Sequence, residues 1–245
     1  MKYHSLFASE NVQQLLAANG LSDMDGAFQH GEPLDELHEE RASRHEHKRV
    51  VKFDLKAPDG ATRVYIKRQW RRHRLLPRLT DIRHRIALQC SPVHEWRGLR
   101  MLQEAGLSVS EPLALFWQGW GFKRGAIITR AVPPRLSMAD LLASGEFQEM
   151  AAERRDSLIE AAADVVARLH RARISWRSMK AKHFYPEETA PGKWRIWLID
   201  CEGVYRRASG RDCQREWREF LRYITARAPG VRDAFLAAYS PAAIS

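Results

Sequence analysis

The stretch that decides the fold is LHRARISWRSMKAKHF, residues 169–184. Before this stretch, apolar side chains recur at the spacing of a helix, and Leu169 is the last of them. The residues that follow are largely polar and basic and lack this spacing. Ser178 and His183 stand five positions apart in that run, and Phe184 follows directly. The change of pattern predicts a long helix that ends near Leu169 and leads into a polar loop.

The helix before this loop has a predicted start and a predicted buried face. Asp156 is of a residue type that caps helix N-termini, so we place the start of the helix there. A one-sided apolar stripe predicts that the helix packs against a core. The stripe consists of Leu158, Ile159, Ala162, Val165, Val166 and Leu169.

A strand and a further helix are predicted beyond the loop. Residues 194–199 read WRIWLI, an apolar strand that runs directly into Asp200. Residues 215–225 have helical spacing, with an apolar face formed by Trp217, Phe220, Leu221 and Ile224. The second half of the chain is therefore expected to be mostly helical.

The first half begins its regular structure with a predicted hairpin. Residues 50–55 and 63–67 are rich in strand-forming residues, and Lys67 ends the second of these runs. The tetrapeptide Ala57-Pro58-Asp59-Gly60 between them is a strong turn signal.

A helix and a second hairpin follow. Ser91-Pro92 suits the first positions of a helix, and Gly106 suits its C-terminal cap. Residues 112–117 and 125–129 then read as two strands joined around Gly119-Trp120-Gly121. A hairpin, a helix and another hairpin thus precede the helical half.

The order of these elements indicates an α+β fold, with a sheet-rich half followed by a helix-rich half. Near the N-terminus, residues 11–19 favour a short helix ended by Gly20, and the polar stretch from Gly26 to His47 is predicted to be a loop. The boundary is placed at Ala131–Pro134. The predicted parts are an N-terminal extension, an N-lobe and a C-lobe, residues 1–47, 48–132 and 133–245.

The charge of the chain points to an anionic partner. Its 245 residues carry a formal net charge of +10, and much of the excess lies between Lys67 and Arg85. Nucleic acid, acidic lipid head groups and a phosphorylated glycan all fit such a charge, and so does a basic face that is simply solvated.

The sequence excludes several other classes of protein. No apolar run is long enough to span a bilayer, and the N-terminal residues lack the pattern of a secretory signal, so we expect a cytoplasmic protein. Cys90, Cys201 and Cys213 are far apart and form no CxxC motif, which predicts reduced thiols rather than a disulfide or metal site.

Four residues stand where phosphoryl-transfer chemistry would use them. Lys67 at the end of a strand can reach a phosphate, and Glu95, 28 positions later on the next helix, can pair with it. Alternatively, each residue has an ordinary explanation of its own: Lys67 as a solvated lysine at a strand end, and Glu95 as a surface glutamate that the helix dipole favours. Asp200 can bind magnesium or cap a turn, and His183 can be a metal ligand or a hydrogen-bonding loop residue.

Together these residues resemble the lipopolysaccharide core kinases, a family that phosphorylates heptose or Kdo sugars. The loop at residues 174–184 is similar to the family's H-R-D-x-x-x-x-H-F, and His183-Phe184 matches its ending. Glu95-Trp96 and the turn GLSVSEP at residues 106–112 also look like the family's helix and the turn after it.

The resemblance covers about residues 50–203 and implies a bilobal, protein-kinase-like α+β fold that uses ATP and Mg²⁺. In that family Lys67 would hold phosphate, Glu95 would position the lysine, and Asp200 with His183 would bind magnesium. The implied location is the cytoplasm, extending to the periphery of the inner membrane. The basic segment would meet an anionic glycolipid or sugar acceptor through Arg68, Arg71, Arg72 and Arg74.

The chain departs from the family at its catalytic loop. Ser178 stands where the family has the aspartate that accepts the proton of the acceptor hydroxyl, and Trp176 replaces the preceding histidine. Serine is no general base at neutral pH without an activator, and no glycine-rich run precedes Val50. Two hypotheses follow: a sugar kinase with Ser178 at the catalytic position, or a pseudokinase that binds nucleotide or a partner. Nucleic-acid binding ranks last because no motif supports it.

Overall fold

The computed structural model describes residues 3–34, 48–58, 60–70, 91–118, 124–206 and 208–239. The chain divides into two compact units. Unit 1 comprises residues 1–97 and 111–131, and unit 2 comprises residues 98–110 and 132–245.

Unit 1 is built on a six-stranded antiparallel sheet. Its strand order is β1-β5-β6-β4-β3-β2. Both predicted hairpins are confirmed, although the turn at Gly119-Trp120-Gly121 and residue Asp59 lie outside the described residues. The strands are β1 (Tyr3–Phe7), β2 (Glu32–Pro33), β3 (Lys48–Ala57), β4 (Gly60–Trp70), β5 (Pro112–Gln118) and β6 (Arg124–Arg130).

Two short helices cover one face of this sheet. Helix α1 (Glu10–Ala18) confirms the helix predicted near residues 11–19, and the Ser9 hydroxyl accepts a hydrogen bond from the Val12 amide at its start. Helix α2 (Met24–Gln29) was not predicted, so the prediction of a loop from Gly26 is wrong at its beginning. Asp23 caps α2, and Met24 and Ala27 are buried, which explains why so polar a segment folds. Residues 35–47 lie outside the described part.

Residues 3–34, which lie in the predicted N-terminal extension, belong to unit 1. Strand β1 pairs with β5 and β2 pairs with β3, so both contribute to the sheet. The buried core of the unit draws on these segments and on the central strands together. Its members are Leu16, Leu21, Met24, Ala27, Val51, Leu55, Val64, Ile66, Leu113, Ala114, Phe116, Ala126 and Ile128.

Helix α3 (Ser91–Glu104) confirms the helix predicted after Ser91-Pro92. It is followed by Gly106, whose φ of 73° lies in the left-handed region that favours glycine. The predicted C-terminal cap is thereby confirmed as well.

Unit 2 is mostly helical, as predicted, with two small antiparallel sheets in which β7 pairs with β10 and β8 pairs with β9. Its helices are α4 (Met138–Ala143), α5 (Gly145–Glu149), α6 (Ala152–Arg171), α7 (Gly210–Thr225) and α8 (Arg232–Ala238). Its strands are β7 (Ile174–Trp176), β8 (Phe184–Ala190), β9 (Lys193–Leu198) and β10 (Val204–Arg206).

The long helix α6 has the predicted buried stripe but not the predicted start. It begins at Ala152, so Asp156 lies inside the helix and does not cap it. The residues before Asp156 are good helix formers, and Glu153 in the first turn interacts favourably with the helix dipole, so nothing interrupts the helix there. Helix α7 likewise begins earlier than predicted, because Ser209 and Asp212 form a capping box.

Within the described ranges, every helix is too short or too polar to span a bilayer. Cys201 and Cys213 are buried thiols, and Cys90 lies outside the described residues.

Candidate active site

The lysine of the candidate site projects from the centre of the sheet. Strand β4 pairs with β3 on one side and β6 on the other, and Lys67 lies opposite Val50 and Ile127. Alternation along β4 sends Val64 and Ile66 into the buried core and turns Lys67 to the other face. A strand hydrogen-bonded on both sides holds the base of this side chain rigidly.

Lys67 and Glu95 form an ion pair, as the pairing hypothesis requires. The Lys67 Nζ donates to Glu95 Oε2 at 2.6 Å, and the two side chains are 17% and 8% exposed. A charge-assisted hydrogen bond of this length in a low-exposure setting is stronger than an exposed surface pair. The glutamate is therefore a buried partner of the lysine and not a solvated surface residue.

Gln69 fixes the start of the helix that carries Glu95. It lies two residues beyond Lys67, on the same face of β4, and its side-chain oxygen accepts a hydrogen bond from the Ser91 amide. The first amides of a helix have no partner within the helix, so this bond stabilises the start of α3. Sequence reasoning missed Gln69, although its spacing from Lys67 was visible.

The catalytic-loop stretch of unit 2 is held by aromatic stacking. Trp176 is fully buried at the end of β7 and stacks on His183 with ring centroids 5.6 Å apart and on Phe184 at 6.0 Å. His183 ends a short 3₁₀ turn at residues 181–183 and is itself buried. Trp176 is thus a packing residue of this loop.

Glu216 of α7 fastens the same loop from its other side. This carboxylate is 3% exposed and accepts hydrogen bonds from the Trp176 amide at 3.0 Å and from the Ser175 hydroxyl. His170 lies 3.7 Å away through its Nε2 atom, and its Nδ1 contacts the Tyr239 hydroxyl at 2.6 Å. Sequence reasoning missed Glu216, although a charged residue on the apolar face of a predicted helix indicates a buried side chain with a specific partner.

Ser178 lies against the backbone of the segment that follows Asp200. Its hydroxyl oxygen is buried and makes no hydrogen bond to any described residue. A Cβ atom at Gly203 would lie 2.7 Å from this oxygen, so the glycine leaves the space that Ser178 occupies. The Arg177 amide also donates to the Gly203 carbonyl at 3.2 Å, which keeps the two segments side by side.

Asp200 is presented by a left-handed backbone turn. Its φ is 58°, uncommon for a residue other than glycine, and its side chain is 38% exposed. Strand β9, which delivers it, is anchored at Leu198 by two backbone hydrogen bonds to Ser108 and Ser110 at 2.9 Å each. One carboxylate oxygen lies 3.5 Å from His183 Nε2, and the Ile199 amide donates to the His183 carbonyl at 3.1 Å. Asp200 and His183 therefore belong to one local cluster.

Gly98 of α3 permits a close approach to the Asp200 loop within unit 2. A Cβ atom at this position would overlap the carbonyl oxygen of Cys201, the residue after Asp200. Sequence reasoning missed this glycine, since a glycine inside a helix is usually read only as a cost in helix propensity.

Arg68 is engaged inside unit 1. Its side chain lies in the buried face of β4 and donates to the backbone carbonyls of Ala27 and His30, which attaches α2 to the sheet. Burial is the main cause that lowers the pKa of Arg68 to about 10. The other three arginines predicted to bind the acceptor, Arg71, Arg72 and Arg74, lie outside the described residues.

The family relationship can now be stated from comparison with known proteins. The model of the lipopolysaccharide kinase (Kdo/WaaP) family matches residues 28–239, which is most of the chain. This protein belongs to that family. No curated protein matches the sequence of this chain.

A solved structure supports the fold. The chain is similar to WaaP in a structure described as WaaP in complex with acyl carrier protein, with a TM-score of 0.64 and 18% sequence identity. The match covers 96% of this chain and 88% of that one. At this identity the likeness establishes the fold, and the predicted bilobal, protein-kinase-like architecture is confirmed.

Proposed function

We propose that this member of the lipopolysaccharide kinase family transfers phosphate from ATP to a sugar of the lipopolysaccharide inner core. The observation that carries the proposal is the buried 2.6 Å ion pair between Lys67 and Glu95. Protein kinases use a strand lysine held by a helix glutamate to contact the nucleotide phosphates. Because Glu95 is buried, the two residues are not simply a solvated ion pair at the surface.

Lys67 would contribute a fixed positive charge beside the phosphates. Glu95 fixes where the ammonium group lies, and Gln69 fixes the first turn of the helix that carries Glu95. Such preorganisation matters because phosphoryl transfer relies mainly on positioning and charge stabilisation.

Asp200 is the residue that would hold the magnesium ion accompanying ATP. Mg²⁺ prefers oxygen ligands and is commonly bound by one or two carboxylates together with substrate phosphates. The partly exposed carboxylate of Asp200 fits this requirement, and no cluster of three or more acidic, histidine or cysteine ligands occurs among the described residues. Bound magnesium would offset the negative charge of the phosphates. His183, a nitrogen donor, suits the task of orienting Asp200 better than that of binding Mg²⁺.

Ser178 limits the rate in this proposal. Its buried hydroxyl has no carboxylate or imidazole partner among the described residues that would take its proton. A general base contributes on the order of 10²–10⁴-fold, and a largely dissociative transition state does not strictly require one. The proposal is therefore a slow kinase whose acceptor hydroxyl keeps its proton until late in the transfer.

The acceptor would be an anionic sugar of a glycolipid. A net charge of +10 favours such a substrate, and the basic residues Arg71, Arg72 and Arg74 are proposed to contact it.

The test is transfer of radiolabelled γ-phosphate to purified, dephosphorylated lipopolysaccharide core. We expect Lys67→Met and Asp200→Ala to abolish labelling. Lys52→Met, on the neighbouring strand, and Asp233→Ala, exposed on α8, are the matched controls and should retain it. Full labelling by Asp200→Ala would remove the proposed function.

One observation favours a pseudokinase instead: Trp176 and Ser178 fill the catalytic loop with packed, uncharged side chains. In a pseudokinase the loop would be a structural element, and Ser178→Asp would gain no activity. In a slow kinase the same substitution should raise the transfer rate at least roughly 100-fold, the lower end of a general base's contribution. The rate of Ser178→Asp relative to wild type separates the two.

A further inference from the structure

Helix α7 carries a stripe of four arginines on its exposed face. Arg211, Arg215, Arg218 and Arg222 recur at intervals of four, three and four residues, and all four are exposed. At about 100° per residue these positions fall within an arc of roughly 60°, and at 1.5 Å per residue they extend over about 16 Å. We call these four residues the arginine stripe.

The opposite side of α7 is its buried face, which fixes the direction of the stripe. The buried residues are Cys213, Glu216, Trp217, Phe220, Leu221 and Ile224. They pack in unit 2, with Phe220 in ring contact with Phe184 at 4.9 Å and Trp217 stacked on Tyr239 at 3.9 Å. The helix therefore cannot rotate to hide the arginines, and the stripe faces solvent along its whole length.

Acidic neighbours neutralise only part of the stripe. Asp212 forms an ion pair with Arg215 at 2.9 Å and caps the helix with Ser209, so its carboxylate is already engaged. Glu219 lies on the flank of the stripe, and Glu216 is on the buried face. Within the described part of the chain, no acidic side chain pairs with Arg211, Arg218 or Arg222.

We propose that the arginine stripe docks this protein on a bilayer that contains anionic phospholipid. The choice of a membrane as the binding partner rests on the proposed function, because a lipopolysaccharide acceptor is anchored in a membrane. Four guanidinium groups in a straight, narrow row can contact a flat layer of phosphates together, and arginine binds phosphate through two parallel hydrogen bonds. Nucleic acid fits less well, since Trp217 and Phe220 of α7 are buried and the Arg227 guanidinium covers the Tyr223 ring, so a base has little aromatic surface to stack on.

The expected strength follows from the number of charges. A basic side chain near an anionic bilayer surface strengthens binding roughly fivefold, so three or four of them should contribute at least about 100-fold. Because the interaction is electrostatic, it should weaken as salt is raised and the screening length falls.

The experiment is flotation of the full chain with vesicles of phosphatidylcholine, with and without phosphatidylglycerol. The stripe variant R211Q/R215Q/R218Q/R222Q removes the four charges. The control R100Q/R135Q/R171Q/R195Q removes four exposed arginines that are scattered over α3, the segment before α4, the end of α6 and β9. Circular dichroism should show equal helix content in both, since all eight side chains are exposed.

Wild type and the control should float with phosphatidylglycerol vesicles only, and the stripe variant should bind at least about 100-fold more weakly. Equal flotation of the two variants would overturn the proposal. It would also be overturned if wild type ignored the vesicles but bound an oligonucleotide or an acidic protein through the stripe.

Failure of this proposal can be told apart from failure of the proposed function. Transfer of phosphate to a delipidated, soluble core oligosaccharide needs no membrane, so the stripe variant should perform it as well as wild type. If the protein floats with anionic vesicles but never transfers phosphate, the docking surface is supported and the proposed kinase activity is refuted.

Discussion

The surroundings of Lys67 in unit 1 and of Ser178 in unit 2 are built by opposite means. Lys67 is held by a buried charge, Glu95, and its helix is held by the side chain of Gln69. Ser178 stands in a loop held by the stacked ring of Trp176, although a buried carboxylate, Glu216, fastens the loop's backbone. The first region therefore presents the charged groups that the proposed function would use. The second holds an uncharged serine at the position proposed for the general base, in a loop whose backbone is tightly held.

The largest effect is expected from Lys67→Met. It removes the charge that is proposed to bind phosphate, and loss of one such electrostatic group lowers turnover by about 10²–10³-fold or more. It also removes the Lys67 ammonium group from the buried Glu95 carboxylate, which should lower the free energy of unfolding by roughly 3 kcal/mol. Urea denaturation and phosphate transfer measure the two losses, with Lys52→Met as the control on the adjacent strand.

The double variant Lys67→Met/Glu95→Leu sharpens this result. Removing both charges eliminates the cost of burying the Glu95 carboxylate without the Lys67 ammonium group, so most of the stability should return while the activity should not. If stability did not recover, the pair would not be the buried unit that its geometry indicates.

The next effect is expected from Glu216→Ala in the second region. The substitution leaves the Trp176 amide and the Ser175 hydroxyl without their acceptor, at a cost of roughly 2–4 kcal/mol. Hydrogen exchange at the Trp176 amide should accelerate in step with that loss. Glu219→Ala, exposed on the same helix, should change stability by less than about 0.5 kcal/mol. Unchanged protection of the Trp176 amide would mean that stacking alone holds the loop.

A smaller effect is expected from Gly98→Ala. The added methyl group meets the Cys201 carbonyl, a backbone atom that cannot swing away, so we expect a loss of about 1–3 kcal/mol. Gly145→Ala is the control because nothing lies near its added methyl group, and it should be neutral or slightly stabilising. Thermal unfolding of the two variants compares them directly. Equal melting temperatures would contradict the close packing of α3 against the Asp200 loop.

The smallest effect concerns the partly exposed ion pair of Arg154 and Glu188, which serves as a contrast to the more deeply buried Lys67–Glu95 pair. The Arg154 side chain and then the Gly192 amide lower the pKa of Glu188 below its ordinary value of 4.5. A lowered pKa in the folded state contributes stability that is present above pH 4.5 and is lost as the pH falls through the folded value. Arg154→Met should flatten the stability curve in that acidic range and cost less than about 1 kcal/mol at neutral pH. Urea midpoints measured across the range check this, and an unchanged slope would contradict it.

The sequence predicted the elements that have strong local signals. Both hairpins, helix α1, helix α3 with its Gly106 cap, the stripe of α6 and the strand into Asp200 depend on periodicity and on turn and cap residues, which act over a few positions. The start of α6 was wrong because residues 152–155 continue the helix before Asp156 without any side-chain cap. The start of α7 was placed too late because the capping box of Ser209 and Asp212 precedes the apolar spacing by which the helix was located.

Two local pairs, Lys67 with Glu95 in unit 1 and His183 with Asp200 in unit 2, join residues that the sequence had singled out by their order along the chain. Gln69, Gly98, Gly203 and Glu216 were missed because each acts on a segment distant in sequence. The clearance that Gly98 gives the Cys201 carbonyl, for example, involves residues about a hundred positions apart and leaves no local pattern. Such contacts become visible only once the chain is folded.

Lys67 and Asp200 are proposed to bind the phosphates and the magnesium ion of ATP. Calorimetric titration of ATP into wild type, Lys67→Met and Asp200→Ala, with and without Mg²⁺, measures this binding. We expect binding that requires magnesium in wild type, is lost in Asp200→Ala and is strongly weakened in Lys67→Met. Binding that is indifferent to magnesium and to both substitutions, or no binding at millimolar ATP, would contradict this proposal.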